Sequence, residues 1–176
     1  MIISTGVNSE SLTWTIAFSS YRLSATDGSA FSYASTNLFT RAITSISSDN
    51  DVKISTRLRI PSRYLKGFEA GKIGPVDNND YIGGNYATAL GFKANFPKLF
   101  SALQNFDFNL FIDTANLWGI DYDGSLDDKS KLRSSIGVST DVFTPVGPLS
   151  FSLAQPISKA DTDTTETFRF NLGTTF

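Results

Sequence analysis

The segment Phe168-Arg169-Phe170-Asn171-Leu172-Gly173-Thr174-Thr175-Phe176 alternates apolar and polar side chains. Its large apolar side chains all fall on even positions, whereas Arg169, Asn171, Gly173 and Thr175 fall on odd positions. A period of two places every second side chain on the same side of an extended backbone, whereas a helix would require a period of 3.6. The segment therefore predicts a β-strand with one apolar and one polar face.

The same alternation recurs along the rest of the chain. The segments that carry it lie near residues 1–7, 12–19, 31–46, 86–96, 106–113, 132–142, 149–154 and 165–176. In residues 106–113 the pattern has one exception, since Phe111 falls among the polar positions. The pattern predicts an all-β protein with about eight antiparallel strands, many of them long.

Two kinds of β architecture fit this pattern. A tilted transmembrane strand needs roughly 9–11 residues, but the strands of a soluble antiparallel sandwich alternate as well. The polar faces are rich in Ser, Thr, Gly, Asn and Asp, which suits a wet barrel lumen, and aromatic residues lie near strand ends, as in interface girdles. The link at 144–148 is short, whereas those at 119–130 and 158–164 are longer. The sequence thus favours a transmembrane β-barrel over a sandwich.

The composition excludes several common kinds of binding and catalytic site. The 176 residues include 15 Lys+Arg and 17 Asp+Glu, a net charge of -2, which lacks the basic excess of nucleic-acid-binding proteins. There is no Cys and no His, so thiol nucleophiles, common zinc sites and Ser-His dyads are absent. We therefore expect no catalytic residue, no metal site, no cofactor and no enzymatic activity.

One long segment, about residues 47–84, does not alternate, and its cations Arg57, Arg59, Arg63, Lys66 and Lys72 are candidate partners for a carboxylate. Asp113 lies in the middle of a predicted strand on its polar face, where a dry, unpaired charge would be costly. A loop that folds into the lumen and pairs with this carboxylate is one interpretation. A mobile surface loop with scattered charges is the other, and the residues alone leave both open.

Several motifs resemble the BamA family, the outer-membrane barrel insertases of the bacterial surface antigen superfamily. Leu65-Lys66-Gly67-Phe68 is similar to the family's Arg-Gly-Phe/Tyr loop motif, and Ile73-Gly74-Pro75 and Gly83-Gly84-Asn85 follow it in the family's order. Phe111-Ile112-Asp113-Thr114-Ala115-Asn116-Leu117-Trp118 resembles the strand whose Asp pairs with the loop arginine. Residues 144–149, 154–156 and 168–176 resemble the final hairpin and the C-terminal signal. The resemblance extends from about residue 10 to the end.

The resemblance implies a site and a mechanism. Lys66 stands where the family has arginine, which keeps the charge but loses the planar fork, and it would reach into the lumen towards Asp113. The final strand would form a lateral seam at which client strands add, with Gly173 able to bend. The seam and C-terminal signal comprise Phe168, Phe170, Leu172, Gly173 and Phe176.

The resemblance also implies a location and partners. The protein would fold and insert outer-membrane proteins in the bacterial outer membrane. It would contact membrane lipid and unfolded clients, and assembly-complex lipoproteins through periplasmic domains. The family has POTRA domains and a larger barrel, so we expect residues 1–176 to be the C-terminal portion of such a barrel, with no POTRA domain. Alone it should form an open, curved sheet. A passive porin or a secretion barrel is the alternative function.

Overall fold

A computed structural model of the chain describes residues 2–7, 11–19, 23–24, 33–45, 51–96, 106–121, 125–144 and 147–172. Within them lie eleven strands and one turn of 3-10 helix, Ile54–Thr56. The strands are β1 (Ile2–Val7), β2 (Ser11–Ser19), β3 (Leu23–Ser24), β4 (Tyr33–Ser45), β5 (Val76–Asp77), β6 (Asp80–Tyr81), β7 (Tyr86–Phe96), β8 (Phe106–Trp118), β9 (Arg133–Thr144), β10 (Gly147–Ser158) and β11 (Phe168–Leu172). No described helix is long and apolar enough to cross a membrane.

Eight of the strands form one open sheet in the order β1-β2-β4-β7-β8-β9-β10-β11. Every neighbouring pair is antiparallel, as short links between successive strands require. The short strand β3 pairs with β4, and β5 and β6 form a separate hairpin. In the described part of the chain, β1 and β11 are the two ends of the sheet and do not pair with each other. The predicted all-β, antiparallel, unclosed sheet of eight strands is confirmed.

One face of the sheet is apolar and open. Leu110, Val138, Leu153 and Phe168 are neighbours across four successive strands. Their exposed fractions lie between 47% and 54%. A water-soluble protein rarely exposes so continuous an apolar surface, whereas a lipid-facing barrel wall must do so.

The opposite face, here called the polar face, carries Asp113 and is covered in part by the long loop, the described residues 51–85. The buried cluster lies between them. From the loop it takes Leu58, Leu65, Phe68 and Ile73 among others. From the sheet it takes the small side chains Ala87, Ala89 and Ala115 together with Phe39, Ile43 and Leu117. Small side chains let the loop backbone approach the sheet closely, because they leave room for the larger side chains above.

Two local features differ from the simple alternating pattern. Phe111 lies on the polar face, as its position requires, but it is buried beneath the loop rather than exposed to a wet surface. The last strand was predicted from Thr165, whereas β11 begins at Phe168. Residues 164–166 instead hydrogen-bond to residues 67–72 of the long loop. Gly173 and Phe176 lie outside the described residues.

Candidate functional site

Lys66 and Asp113, whose pairing the family resemblance implies, lie in contact. Lys66 donates to Asp113 Oδ2 twice, from Nζ at 2.8 Å and from its backbone N–H at 3.1 Å. Ser135, directly opposite Asp113 on β9, donates from Oγ to the Lys66 carbonyl oxygen at 2.6 Å. Asp113 is buried, and the Lys66 side chain is 23% exposed. Three hydrogen bonds therefore hold this one loop residue to two neighbouring strands.

The residues beside the ion pair explain why the loop fits there. Gly67 has φ +87°, and a Cβ at this position would lie 3.1 Å from Ser135 Cβ and 3.2 Å from Ala154 Cβ. Glycine is favoured here for two reasons: a positive φ is strained for other residues, and the loop backbone lies too close to the sheet to leave room for a Cβ. Lys66 Nζ also lies 4.2 Å from the centroid of the Phe111 ring. The buried aromatic that interrupts the polar alternation is thus a second partner of the loop cation.

The other four candidate cations contact different groups. Arg57 forms an ion pair with Asp121 and donates to the Val52 carbonyl oxygen. Arg59 donates to the Tyr81 carbonyl oxygen at 2.9 Å. The remaining two lie over aromatic rings, Arg63 over Tyr64 and Lys72 over Tyr81. Only Lys66 among the five contacts Asp113 in the described structure.

A second ion pair was missed by the sequence analysis. Arg133 at the start of β9 contacts Asp163 through two parallel hydrogen bonds of 2.9 and 3.0 Å, and both side chains are almost fully buried. Asp163 also accepts hydrogen bonds from the backbone N–H groups of Ala160 and Gly74. This carboxylate therefore joins β9, the β10–β11 loop and the long loop. The two residues lie thirty positions apart in sequence, and no local pattern marks them as partners.

A third contact involves the last described strand. Arg169 on β11 donates from Nη1 to the Ser62 carbonyl oxygen at 3.0 Å and from Nη2 to the Phe68 carbonyl oxygen. It also forms an ion pair with Glu166. The predicted seam residues Phe168, Phe170 and Leu172 are exposed on the apolar face, the side of the strand away from these contacts.

Two carboxylates outside these joints, Asp141 and Asp127, are paired as well. Asp141 on the polar face lies 3.5 Å from Lys93 Nζ and accepts a hydrogen bond from Ser150. In the β8–β9 loop, the side chain of Lys131 and then the backbone N–H of Lys129 lower the pKa of Asp127 below its ordinary 3.8. The ion pairs and hydrogen bonds on the described polar face can therefore hold the long loop against the sheet.

Comparisons with known proteins agree with the predicted family and fold. The model of the Omp85 superfamily domain matches residues 6–176. A curated relative, the outer membrane protein assembly factor BamA of Neisseria meningitidis serogroup B, is 27% identical over 139 residues. That alignment covers 64% of this chain but 17% of the relative.

A solved structure has a similar fold. The crystal structure of BamA from Haemophilus ducreyi lacking POTRA domains 1-3 aligns with a TM-score of 0.79 and 23% sequence identity. The alignment covers 92% of this chain and 34% of that chain. At this identity the likeness concerns the fold, and it shows that the open sheet corresponds to part of a larger barrel.

Proposed function

The chain belongs to the Omp85 superfamily, and on that premise we propose that it is part of an outer-membrane barrel that folds and inserts other outer-membrane proteins. The predicted resemblance to BamA and the predicted outer-membrane location are both confirmed by the comparisons. The insertase activity is proposed from the curated relative, whose name is that of an assembly factor. The chain spans about a sixth of that relative's length, since the alignment covers 17% of it.

The observation that carries the proposal is the attachment of the long loop to the sheet through Lys66 and Asp113. A passive pore needs no loop fixed at this place, because its transport depends on an open lumen. In the proposed barrel the apolar face contacts lipid, the polar face lines the lumen, and the long loop lies inside it. The loop motif Leu65–Phe68 then lies within the barrel, where the Phe68 carbonyl oxygen accepts a hydrogen bond from Arg169 of β11, the strand that ends the described sheet.

The proposed mechanism uses the free edge of β11. Within the described residues, β11 pairs with β10 along one edge and has no strand partner along its other edge. A client strand would add to this edge through backbone hydrogen bonds, as in β-augmentation. Gly173 would allow the strand to bend there, and Phe176 would complete the chain's own assembly signal. No covalent chemistry is required.

Depletion of the protein in cells tests the proposal. The folded levels of unrelated outer-membrane barrels should fall, and should recover when the wild-type gene is supplied. Lys66→Glu should restore them poorly, whereas Lys129→Glu, a charge reversal at an exposed loop residue, should restore them fully. Normal barrel levels after depletion would overturn the proposal. Reduced solute uptake would then favour the porin, and reduced secretion would favour the translocation barrel.

A further inference from the structure

We propose that Arg169 is a positioning residue that couples the long loop to β11, so that the order of the final strand depends on the loop. This inference rests on the proposed function for its biological meaning, but its structural claim can be tested without any client protein.

The first step of the argument is the position of the Arg169 side chain. It projects from the polar face of β11, opposite Ser152 of β10, and is 11% exposed. Its guanidinium contacts the carbonyl oxygens of Ser62, in the turn before the loop motif, and of Phe68, the last residue of that motif. Because the guanidinium is a rigid planar fork, a shift of the loop would break these bonds.

The second step is the backbone pairing just before β11. Glu69 donates to the Thr164 carbonyl oxygen, Thr164 to that of Lys72, and Glu166 to that of Gly67, each at 3.0 Å. Residues that alternate like the beginning of a strand thus pair with the loop instead of with β10. The loop and the lead into β11 form one hydrogen-bonded unit, which the Arg169 fork extends into the strand itself.

The third step is the weakness of the other contacts of β11. Its outward side chains Phe168, Phe170 and Leu172 are 54%, 49% and 66% exposed, so packing within the protein is limited. The Phe170 ring contacts Phe151 at a centroid distance of 5.1 Å. Apart from this contact and the contacts of Arg169, the described part of the strand is held by its ladder to β10. The loop contacts are therefore a large share of what orders β11.

The fourth step concerns the direction of coupling. The loop residue Lys66 is bound to Asp113 on β8, and Phe68, two residues later, is bound to Arg169 on β11. Because only one residue separates the two attachments, weakening either one should also weaken the hydrogen bonds at the other.

Hydrogen exchange of the protein reconstituted in lipid bilayers tests the coupling. Arg169→Gln should raise the exchange rate of the β11 amides and of residues 65–68 together, by about 10- to 100-fold, since it removes charged hydrogen bonds from both. Arg169→Lys should recover part of the protection, because the charge remains and the fork is lost. Arg63→Gln, which removes a cation that lies over Tyr64 in the same loop, should change neither segment.

A second variant tests the coupling without touching β11. Lys66→Gln should raise exchange in β11 as well as in the loop, and the double variant with Arg169→Gln should show less than the product of the two single effects. Unchanged β11 exchange in Lys66→Gln, or fully multiplicative effects, would overturn the proposal. Client assembly is measured separately, so a failed assembly assay would refute the insertase function and leave the exchange result standing.

Discussion

The Lys66–Asp113 pair gives the sharpest prediction, because its two hydrogen bonds come from different groups of the same residue. Lys66→Ala removes the ammonium but keeps the backbone N–H bond to Asp113 Oδ2. Breaking a buried ion pair typically costs about 3–5 kcal/mol. Since one donor remains and the lysine is 23% exposed, we expect a smaller cost of about 2–3 kcal/mol, at or below the lower limit of that range.

The cost should appear as local opening of the loop. The pair attaches the loop to a sheet that has its own ladders, so the loop can detach while the strands stay paired. A loss of about 2–3 kcal/mol corresponds to about 30- to 150-fold faster exchange at residues 65–68. Protease cleavage within the long loop should accelerate in parallel, while the strand amides of β8 and β9 stay protected.

Charge reversal separates the electrostatic part from the backbone part. Lys66→Glu brings a second carboxylate to Asp113, which at a separation of about 4 Å and an effective dielectric constant of about 20 repels it by about 4 kcal/mol. The exchanged pair, Lys66→Glu with Asp113→Lys, restores attraction, but the backbone N–H of residue 66 then has no carboxylate to bind. We expect the exchanged pair to be more stable than Lys66→Glu alone and weaker than wild type by about 1–3 kcal/mol.

The control for this series is Lys129→Glu, which should change loop protection by less than about 0.5 kcal/mol. If the exchanged pair protected the loop no better than Lys66→Glu, or if Lys66→Glu behaved like wild type, the ion pair would not hold the loop. If the exchanged pair matched wild type in full, the backbone hydrogen bond would carry no energy.

Four further predictions follow from the described contacts. Asp163→Ala leaves the buried Arg133 without a carboxylate partner, so the free energy of unfolding in urea should fall by about 3–5 kcal/mol; a fall below about 1 kcal/mol would contradict the role of this ion pair. Gly137→Ala puts a Cβ 2.2 Å from the Leu153 carbonyl oxygen and 2.6 Å from Phe111 Cζ, and should cost about 1–3 kcal/mol, whereas Ser139→Ala on the same face should cost less than about 0.5 kcal/mol. Leu110→Lys on the apolar face should destabilise the protein in bilayers by about 2–4 kcal/mol, against about 0–1 kcal/mol for Leu132→Lys just before β9; equal costs would argue against a lipid-facing wall. Since the pKa of Asp127 is lowered in the fold, its contribution to stability is complete above the ordinary value of 3.8 and is lost as the pH falls through the folded value; a pKa at or above 3.8 by NMR titration, or one that Lys131→Ala leaves unchanged, would contradict this.

The strands and their faces could be predicted because alternation is a local property of the sequence. Residues 86–96 and 106–113 show which side chains share a face without any knowledge of neighbouring strands. The partners of those side chains are not local. Arg133 and Asp163 meet because the β10–β11 loop folds back over the start of β9, and nothing within a few residues of either one indicates it. Likewise, five loop cations were candidates for Asp113 on composition, and the resemblance to BamA rather than physics singled out Lys66.

The start of the last strand shows a second limit of the same kind. Thr165 and Glu166 continue a pattern that reads as a strand, and they do form an extended, hydrogen-bonded segment. Alternation indicates an extended backbone, but it does not indicate which neighbour the backbone bonds to. The predicted boundary was therefore wrong at Thr165, because the long loop lies close enough to bond to these residues.

The exceptions to alternation on the polar face have a common cause. Phe111 is apolar where a wet surface would favour polar side chains, and Ala87, Ala89 and Ala115 are small where a lumen could hold larger groups. All four are buried at the contact with the long loop. A barrel wall that only faces water needs polar side chains, but a wall that binds a folded loop needs room for its backbone and apolar contact for its core. Departures from the amphipathic pattern within a strand of this kind therefore indicate where a loop is bound.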